Sequence, residues 1–333
     1  MGELIMAAPV AGLSEKGRIL AEDVLMLRRE VFADGVVTRG EAEALFALGA
    51  TCADKCDEWR PFIIEAIVDY VVHQEKPHGY VSEENAFWLR RAISRGAFVD
   101  SPVEMELLVS VLEGARSAPV DLVRFALEQV AFAVIDGSGP LAGARTLVPG
   151  IVEKHEVELL RRILHAFGGD GNVAITKAEA EVLFRINDGT CEEMNDPSWN
   201  ELFVKAVASF VLNASGYEPP SRAEALRRDA FFENDGAEIG AFFARMVSGG
   251  VAGILDSYGA PASIEDEFAE RNRVREAAAR QAGSVKAEEA RWVTERITHD
   301  RLIHDNERAL LTFIRGAASS IHPDLKPLLD KVA

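Results

Sequence analysis

Cysteine is scarce: Cys52, Cys56 and Cys191 are the only three in 333 residues. Three thiols cannot build a disulfide framework for so long a chain, and they fit a reducing compartment. Uninterrupted apolar runs are missing as well. The best stretches are broken by Glu65, Asp69 or Glu128, short of the ~18 residues a membrane crossing needs. The start, Met1-Gly2-Glu3-Leu4-Ile5-Met6, lacks the basic region of a signal peptide, and Met6 sits where a myristoylation signal wants Ser or Thr. Positive charge is in deficit: 36 Lys+Arg face 54 Asp+Glu, for a net charge of −18. Such a surface repels phosphate backbones and anionic lipid, which argues against nucleic acid and against a polybasic membrane mode. A phosphate-cradling glycine loop, a nucleophile elbow and a Ser/His/Asp arrangement are also missing. These absences lead to the expectation of a cytoplasmic protein that is not an enzyme, has no nucleic-acid partner and does not insert directly into a membrane.

What is present reads as helix. Hydrophobic residues make up 48% of the chain, ample for a sizeable core. Leu20, Val24, Leu27 and Val31 recur at steps of three and four, a helical stripe. The same spacing predicts helices over Phe62–Val72, Ala86–Ile93, Val103–Leu112, Leu122–Ile135, Val157–Phe167, Ala180–Ile186, Leu202–Leu212, Ile239–Val247 and Arg291–Ile297. Alternating strand patterns with two-residue glycine turns are not apparent, so the predicted class is all-α. Asp136–Gly150 is rich in glycine and proline and reads as a linker, and Gly249–Pro261 is similar. Between Ile264 and Arg291, 13 of 28 residues are charged, which fits an exposed helical arm.

The chain also resembles itself. Leu-Arg-Arg occurs at Leu27-Arg28-Arg29, Leu89-Arg90-Arg91, Leu160-Arg161-Arg162 and Leu226-Arg227-Arg228. The first and third copies continue alike, Glu30–Phe46 against Ile163–Phe184, and both reach Thr-Cys, a Trp (Trp59, Trp199), an apolar helix and Gly-Tyr. A fifth, partial copy, Trp292–Ile314, sets Asp300 at Asp34 and Glu307 at Glu41. The period is about 135 residues, as expected of tandem helical bundles. The expected organisation is a tail over 1–16, a first repeat domain over 17–140 and a linker over 141–150. A second repeat domain over 151–262, a charged helical arm over 263–291 and a partial third repeat over 292–333 complete it.

The repeated motif admits two readings. In the first, Thr38/Glu41, Thr176/Glu179, Ser101/Glu104, Ser221/Glu224 and Ser198/Glu201 are capping boxes, in which hydroxyl and carboxylate satisfy amides at a helix start. Asp34-Gly35 and Asp170-Gly171 then close the preceding helix, with the glycine supplying positive φ. In the second reading the acids gather a hard divalent cation, calcium or magnesium. The candidate ligands are Asp34 and Glu41 in the first copy, Asp170, Asn172 and Glu179 in the third, and Asp300 and Glu307 in the last. The spacing departs from an EF-hand: the position of its bidentate Glu is Glu41 in one copy but Lys177 in the other. No other cofactor is expected. Cys52 and Cys56, without a second pair or a histidine, make a poor zinc signal. His299-Asp300 and His304-Asp305 lack the further His and Asp that a metal-dependent phosphohydrolase needs. The arginines of the Leu-Arg-Arg sites are expected to bind neighbouring carboxylates.

The stretch Phe32-Ala33-Asp34-Gly35-Val36-Val37-Thr38-Arg39-Gly40-Glu41, between an amphipathic helix and Leu45, resembles the Ala-Asp-Gly core of TerB-like (tellurite-resistance) domains. The resemblance covers about 15 residues and recurs in degenerate form downstream, a short span beside the tens of residues in a structural repeat. It implies small acidic helical bundles associated with stress responses, metal sensing and protein complexes, and no defined catalysis. The expected function is thus a bacterial protein-interaction module, with a basic or cationic partner selected by acidic rims. The alternative is a divalent-metal-binding stress protein that uses the Asp-Gly loops. A homo-oligomer is compatible with either.

Overall fold

The computed structural model describes residues 11–139, 141, 148–166, 175–212, 226 and 283–332. Within them the chain is mostly α-helical. The expected helix Ile239–Val247, the glycine-rich Gly249–Pro261, the Leu226-Arg227-Arg228 copy beyond its first residue, the Ser221/Glu224 box and most of the 263–291 arm lie outside the described residues. So do Asp170 and Asn172.

After helical residues 11–16 come α1 (Ala21–Val31), α2 (Arg39–Thr51) and α3 (Trp59–Val68), the last continuing as a wider turn over Asp69–Gln74. Their apolar stripes turn inward: Val24, Leu27, Val31, Leu45, Leu48 and Phe62 are all buried. Then come α4 (Glu83–Ile93), α5 (Pro102–Gly114) and α6 (Val120–Asp136). Proline at the first position and a Ser101 hydroxyl accepting the Val103 N–H start α5, as its sequence requires. Gly137, at φ 61°, ends α6 in a left-handed cap.

The chain continues through α7 (Lys154–Leu164), α8 (Lys177–Thr190) and α9 (Pro197–Val211). Here one predicted cap shifts. The cap of α9 is Asp196, not Ser198, because Asp196 Oδ1 accepts the Ser198 N–H at 2.9 Å and Pro197 occupies the first turn. Glu201 pairs with Lys205 instead of closing a box. The last elements are α10 (Ala287–Thr298), α11 (Asp305–Ala317) and the short α12 (Lys326–Leu329).

Two-residue strands punctuate the helices. β1 (Arg18–Ile19) pairs in parallel with β2 (Asp54–Lys55), and β5 (Ser284–Val285) with β6 (Ser320–Ile321). β3 (Ser94–Arg95) and β4 (Phe98–Val99) form an antiparallel hairpin around Gly96, at φ 75°. This is a two-residue glycine turn of the kind the sequence pattern did not reveal. Two residues are too few to carry an alternating period.

Related backbone bonds recur. Gly17, Gly150 and Gly283 all have positive φ and stand at equal steps along the chain. Each is followed, at the fourth residue, by a helix: α1, α7 and α10. A bond then ties the start of each segment to a later point: Cys56 N–H to Ile19 O, Asp196 N–H to Val152 O, and His322 N–H to Val285 O, at 2.9–3.1 Å.

The core is continuous. α3 packs on α5, α6 lies across α7 and α8, and α9 packs on α11. Phe125, Phe184, Trp199 and Phe203 are among its largest fully buried side chains. Two tryptophans dock alike. Trp88 of α4 meets Phe46 of α2 edge-on and donates its Nε1–H to Glu43 at 3.0 Å. Trp292 of α10 meets Phe184 of α8 edge-on and donates to Glu181. Trp292 thus sits on α8 much as Trp88 sits on α2.

Candidate functional site

The candidate acids belong to helix starts and to the turns before them. A free helix N-terminus leaves four N–H groups without partners, so a carboxylate three residues in can accept from the cap residue's own amide. Glu41 Oε2 accepts the Thr38 N–H at 2.8 Å and the Thr38 hydroxyl at 2.9 Å. Glu179 Oε2 accepts the same pair from Thr176 at 2.6 and 2.7 Å. Glu307 Oε2 accepts the His304 N–H at 2.8 Å. Asp23 and Glu156 do likewise for Leu20 and Glu153 at the starts of α1 and α7, helix-start carboxylates absent from the predicted set of boxes. All three candidate glutamates are buried.

The aspartates do a different job. Asp34 is exposed, and its Oδ1 accepts the Val36 N–H at 3.1 Å. Asp300 Oδ1 accepts the Leu302 N–H at 2.9 Å. These side chains hold their own turns, in which the next residue takes positive φ: 76° at Gly35 and 70° at Arg301. Glu43, two residues from Glu41, points elsewhere, to Arg39 and Trp88, and Arg39 first and Trp88 second hold its carboxyl below the usual range. Among the described residues no three His, Cys, Asp or Glu side chains are grouped to hold a metal ion.

The last copy differs from the first two in its cap. Where Thr38 and Thr176 give their glutamate a hydroxyl as well as an amide, His304 gives Glu307 only the amide. Glu307 is fully buried, its Oε1 has no hydrogen-bond partner, and burial pushes its carboxyl up to about 7. Other titratable groups surround it. His304 Nε2 is 2.8 Å from Asp300 Oδ2; the pairing raises the imidazole, and the Leu302 amide first and His304 second lower the Asp300 carboxyl. Asp188 of α8 is pushed up by burial, its Oδ1 unpartnered, with His299 Nε2 3.9 Å from its Oδ2. Sequence reasoning named Asp300 and Glu307 as candidate ligands and singled out His299 only as half of a His-Asp pair, and it missed Asp188. Asp188 lies more than a hundred positions away, and only the packing of the last hairpin on α8 and α9 brings it there. That packing runs through Asn187, Asn306 and Asn200, joined by amide hydrogen bonds of 2.8 and 2.6 Å.

Two of the Leu-Arg-Arg arginines, Arg28 and Arg162, find the carboxylates expected of them, and Arg90 meets an aromatic ring instead. Arg28 of α1 pairs with Glu65 of α3, and Arg90 stacks on Phe125 at 4.6 Å. Arg162 of α7 grips two carboxylates of α5. Its NH1 and NH2 reach Glu106 at 3.1 and 2.8 Å, and its Nε and NH2 reach Glu113 at 2.8 and 2.9 Å. Cys52 is buried, with its Sγ 3.5 Å from Leu13 O, and burial raises all three thiols above their ordinary range. They are inert by that measure.

Two surface features remain. On α1, Glu22, Leu25, Met26 and Arg29 share one outward stripe, with Leu25 59% and Met26 37% exposed. Beside the start of α11 lies an open cleft of about 510 Å³, lined in part by Arg301, Arg308 and Lys331. No helix among the described residues is long and apolar enough to cross a membrane. No family model, curated protein or solved structure matches this chain.

Proposed function

We propose that this protein is a non-catalytic helical interaction module of the bacterial cytoplasm, built from related units that open at Gly17, Gly150 and Gly283. Its partner is a protein with a basic or cationic docking face, and the TerB-like resemblance to acidic bundles of stress-response complexes points the same way. One observation carries this reading: α1 holds Leu25 and Met26 out to solvent beside Glu22, while its Val24, Leu27 and Val31 fill the core. An exposed apolar pair on a helix face, flanked by Glu22 and Arg29, is what a groove-binding contact needs. The repeated glutamates support it indirectly, since their hydrogen bonds serve helix starts. The test is capture from native lysate by the full chain and by Leu25→Asp/Met26→Asp. A stoichiometric partner held by the wild type, released by salt and lost by the variant supports the reading. Identical recovery by both proteins refutes it.

A second reading, a divalent-cation-responsive protein, draws on the unpartnered Glu307 Oε1 and Asp188 Oδ1 within electrostatic reach of Asp300. A melting shift with millimolar calcium or magnesium that Glu307→Gln abolishes supports it. An unchanged melt removes it.

A further inference from the structure

We propose that the cleft beside the start of α11 is a binding site for a small phosphate-bearing anion, held by Arg301, Arg308 and Lys331. The site stands independently of the interaction-module reading.

The cleft, about 510 Å³, collects residues from three separated parts of the chain: Cys191 after α8, the turn and first helical positions 301–308, and Lys331 near the end. Its cations are unengaged. Among the described residues neither guanidinium nor the Lys331 ammonium makes an ion pair or a side-chain hydrogen bond. Four other arginines are tied down: Arg28 to Glu65, Arg39 to Glu43 and Glu84, Arg162 to Glu106 and Glu113, Arg296 to Glu181. In a chain of net charge −18, three cations on one cleft with no ion pair among the described residues are a local reversal of sign.

The matching turn of the first unit shows how particular this is. Gly35 stands where the last unit has Arg301, and Ala42 stands where it has Arg308. Arg301 is the one non-glycine residue with positive φ among the described residues, at 70°. A side chain is unfavourable in that conformation, and glycine is the residue that adopts it freely. The last unit thus places a guanidinium at the cleft in spite of its backbone. The positive end of α11, a helix of 13 residues, opens onto the same space, with its cap residue His304 in the lining.

The chemistry of the lining selects the ligand. Two guanidinium forks and an ammonium match the several oxygens of a phosphate better than a single carboxylate. Asp305 also lines the cleft, one negative charge against the three cations. The acidic remainder of the molecule repels long polyanions, so a small ligand suits the site where a nucleic acid does not. Leu302, 62% exposed, offers an apolar wall to whatever carries the phosphate.

The test is calorimetric titration of the full chain at constant ionic strength with inorganic phosphate, glycerol phosphate, acetate and a single-stranded oligonucleotide. Saturable binding of phosphate is expected, with acetate weaker by about tenfold or more, since each charge-assisted hydrogen bond lost costs roughly that factor. Tighter binding of glycerol phosphate than of free phosphate identifies a phosphomonoester as the source, and equal binding identifies phosphate itself. Arg308→Ala and Lys331→Ala should each weaken binding about tenfold or more. Arg301→Gly should weaken it while raising the melting temperature, which separates loss of a ligand contact from loss of fold. The proposal is overturned by no saturable binding up to about 10 mM phosphate, by equal affinity for acetate, by variants that bind as the wild type does, or by an oligonucleotide that binds far more tightly than phosphate.

Discussion

Replacing Arg162 by alanine should loosen the seam between α5 and α7 in a way that salt and pH both reveal. The guanidinium makes four hydrogen bonds of 2.8–3.1 Å to Glu106 and Glu113, with Arg60 a further 3.9 Å contact on Glu106. All three side chains are partly open to solvent, at 36%, 28% and 39%. An exposed pair contributes about 0.2–1 kcal/mol, and two-point geometry places these at the upper end, so Arg162→Ala should cost about 1–2 kcal/mol. Part of that loss is repulsion, because Glu106 and Glu113 are left near each other without their counter-charge. Arg162→Ala/Glu113→Gln should therefore recover some of it. Arg162→Lys keeps the charge but not the fork, and should retain less than half of the stabilisation. The pH sign follows from Glu106, whose carboxyl Arg162 holds below the usual range despite partial burial. A depressed carboxylate contributes stability above its ordinary pKa and loses it as pH falls, so the gap between wild type and Arg162→Ala should close in acid. Urea unfolding at low and high salt, from pH 4 to pH 8, measures all of this. A loss under about 0.3 kcal/mol at low salt, or a loss indifferent to salt, would refute the reasoning.

Three further outcomes are expected. Burial raises the Glu307 carboxyl from 4.5 to about 7, so the native state keeps a proton that the unfolded chain has released. Stability should then fall as pH rises through that window, and Glu307→Gln should flatten the profile measured by thermal melting. Thr38→Ala removes both the cap that accepts the Glu41 amide and the hydroxyl given to Glu41, and should cost about 1 kcal/mol in chemical denaturation. A Cβ at Gly189 would lie 2.8 Å from Ile135 Cγ1, so Gly189→Ala should cost about 1–3 kcal/mol through overpacking of α6 against α8.

The helices, the caps of α2, α5 and α8 and the Asp34-Gly35 turn were legible in the sequence because their causes are local. A Thr and a Glu three residues apart are within reach of each other in any helix start, whatever lies beyond. The stripes of α1 and α7 follow from a period of 3.6, and Gly35 and Gly137 take the left-handed conformation that only glycine adopts without strain. Even so, Ser198 is not the cap its spacing to Glu201 suggests, because Asp196 and Pro197 form a better start two residues earlier. The β3–β4 hairpin was missed because its strands hold two residues each.

What the tertiary structure decided is which side of each local motif is buried and what meets it. Glu41 and Glu307 are alike in sequence position, yet of the two only Glu307 has an orphaned buried oxygen, Oε1, and only its cap residue brings an imidazole, engaged with Asp300, in place of a hydroxyl. Asp188 joins that corner through contacts with residues over a hundred positions away, which no spacing rule encodes. The charge balance of −18 correctly described the surface as a whole and hid its exception. Arg301, Arg308 and Lys331 become one cationic cleft only when the chain's last segments fold beside the end of α8. Sequence alone determined the pieces, through bonds that span three or four residues. Their assembly depends on burial shared between distant segments, and that is a property of the packed chain.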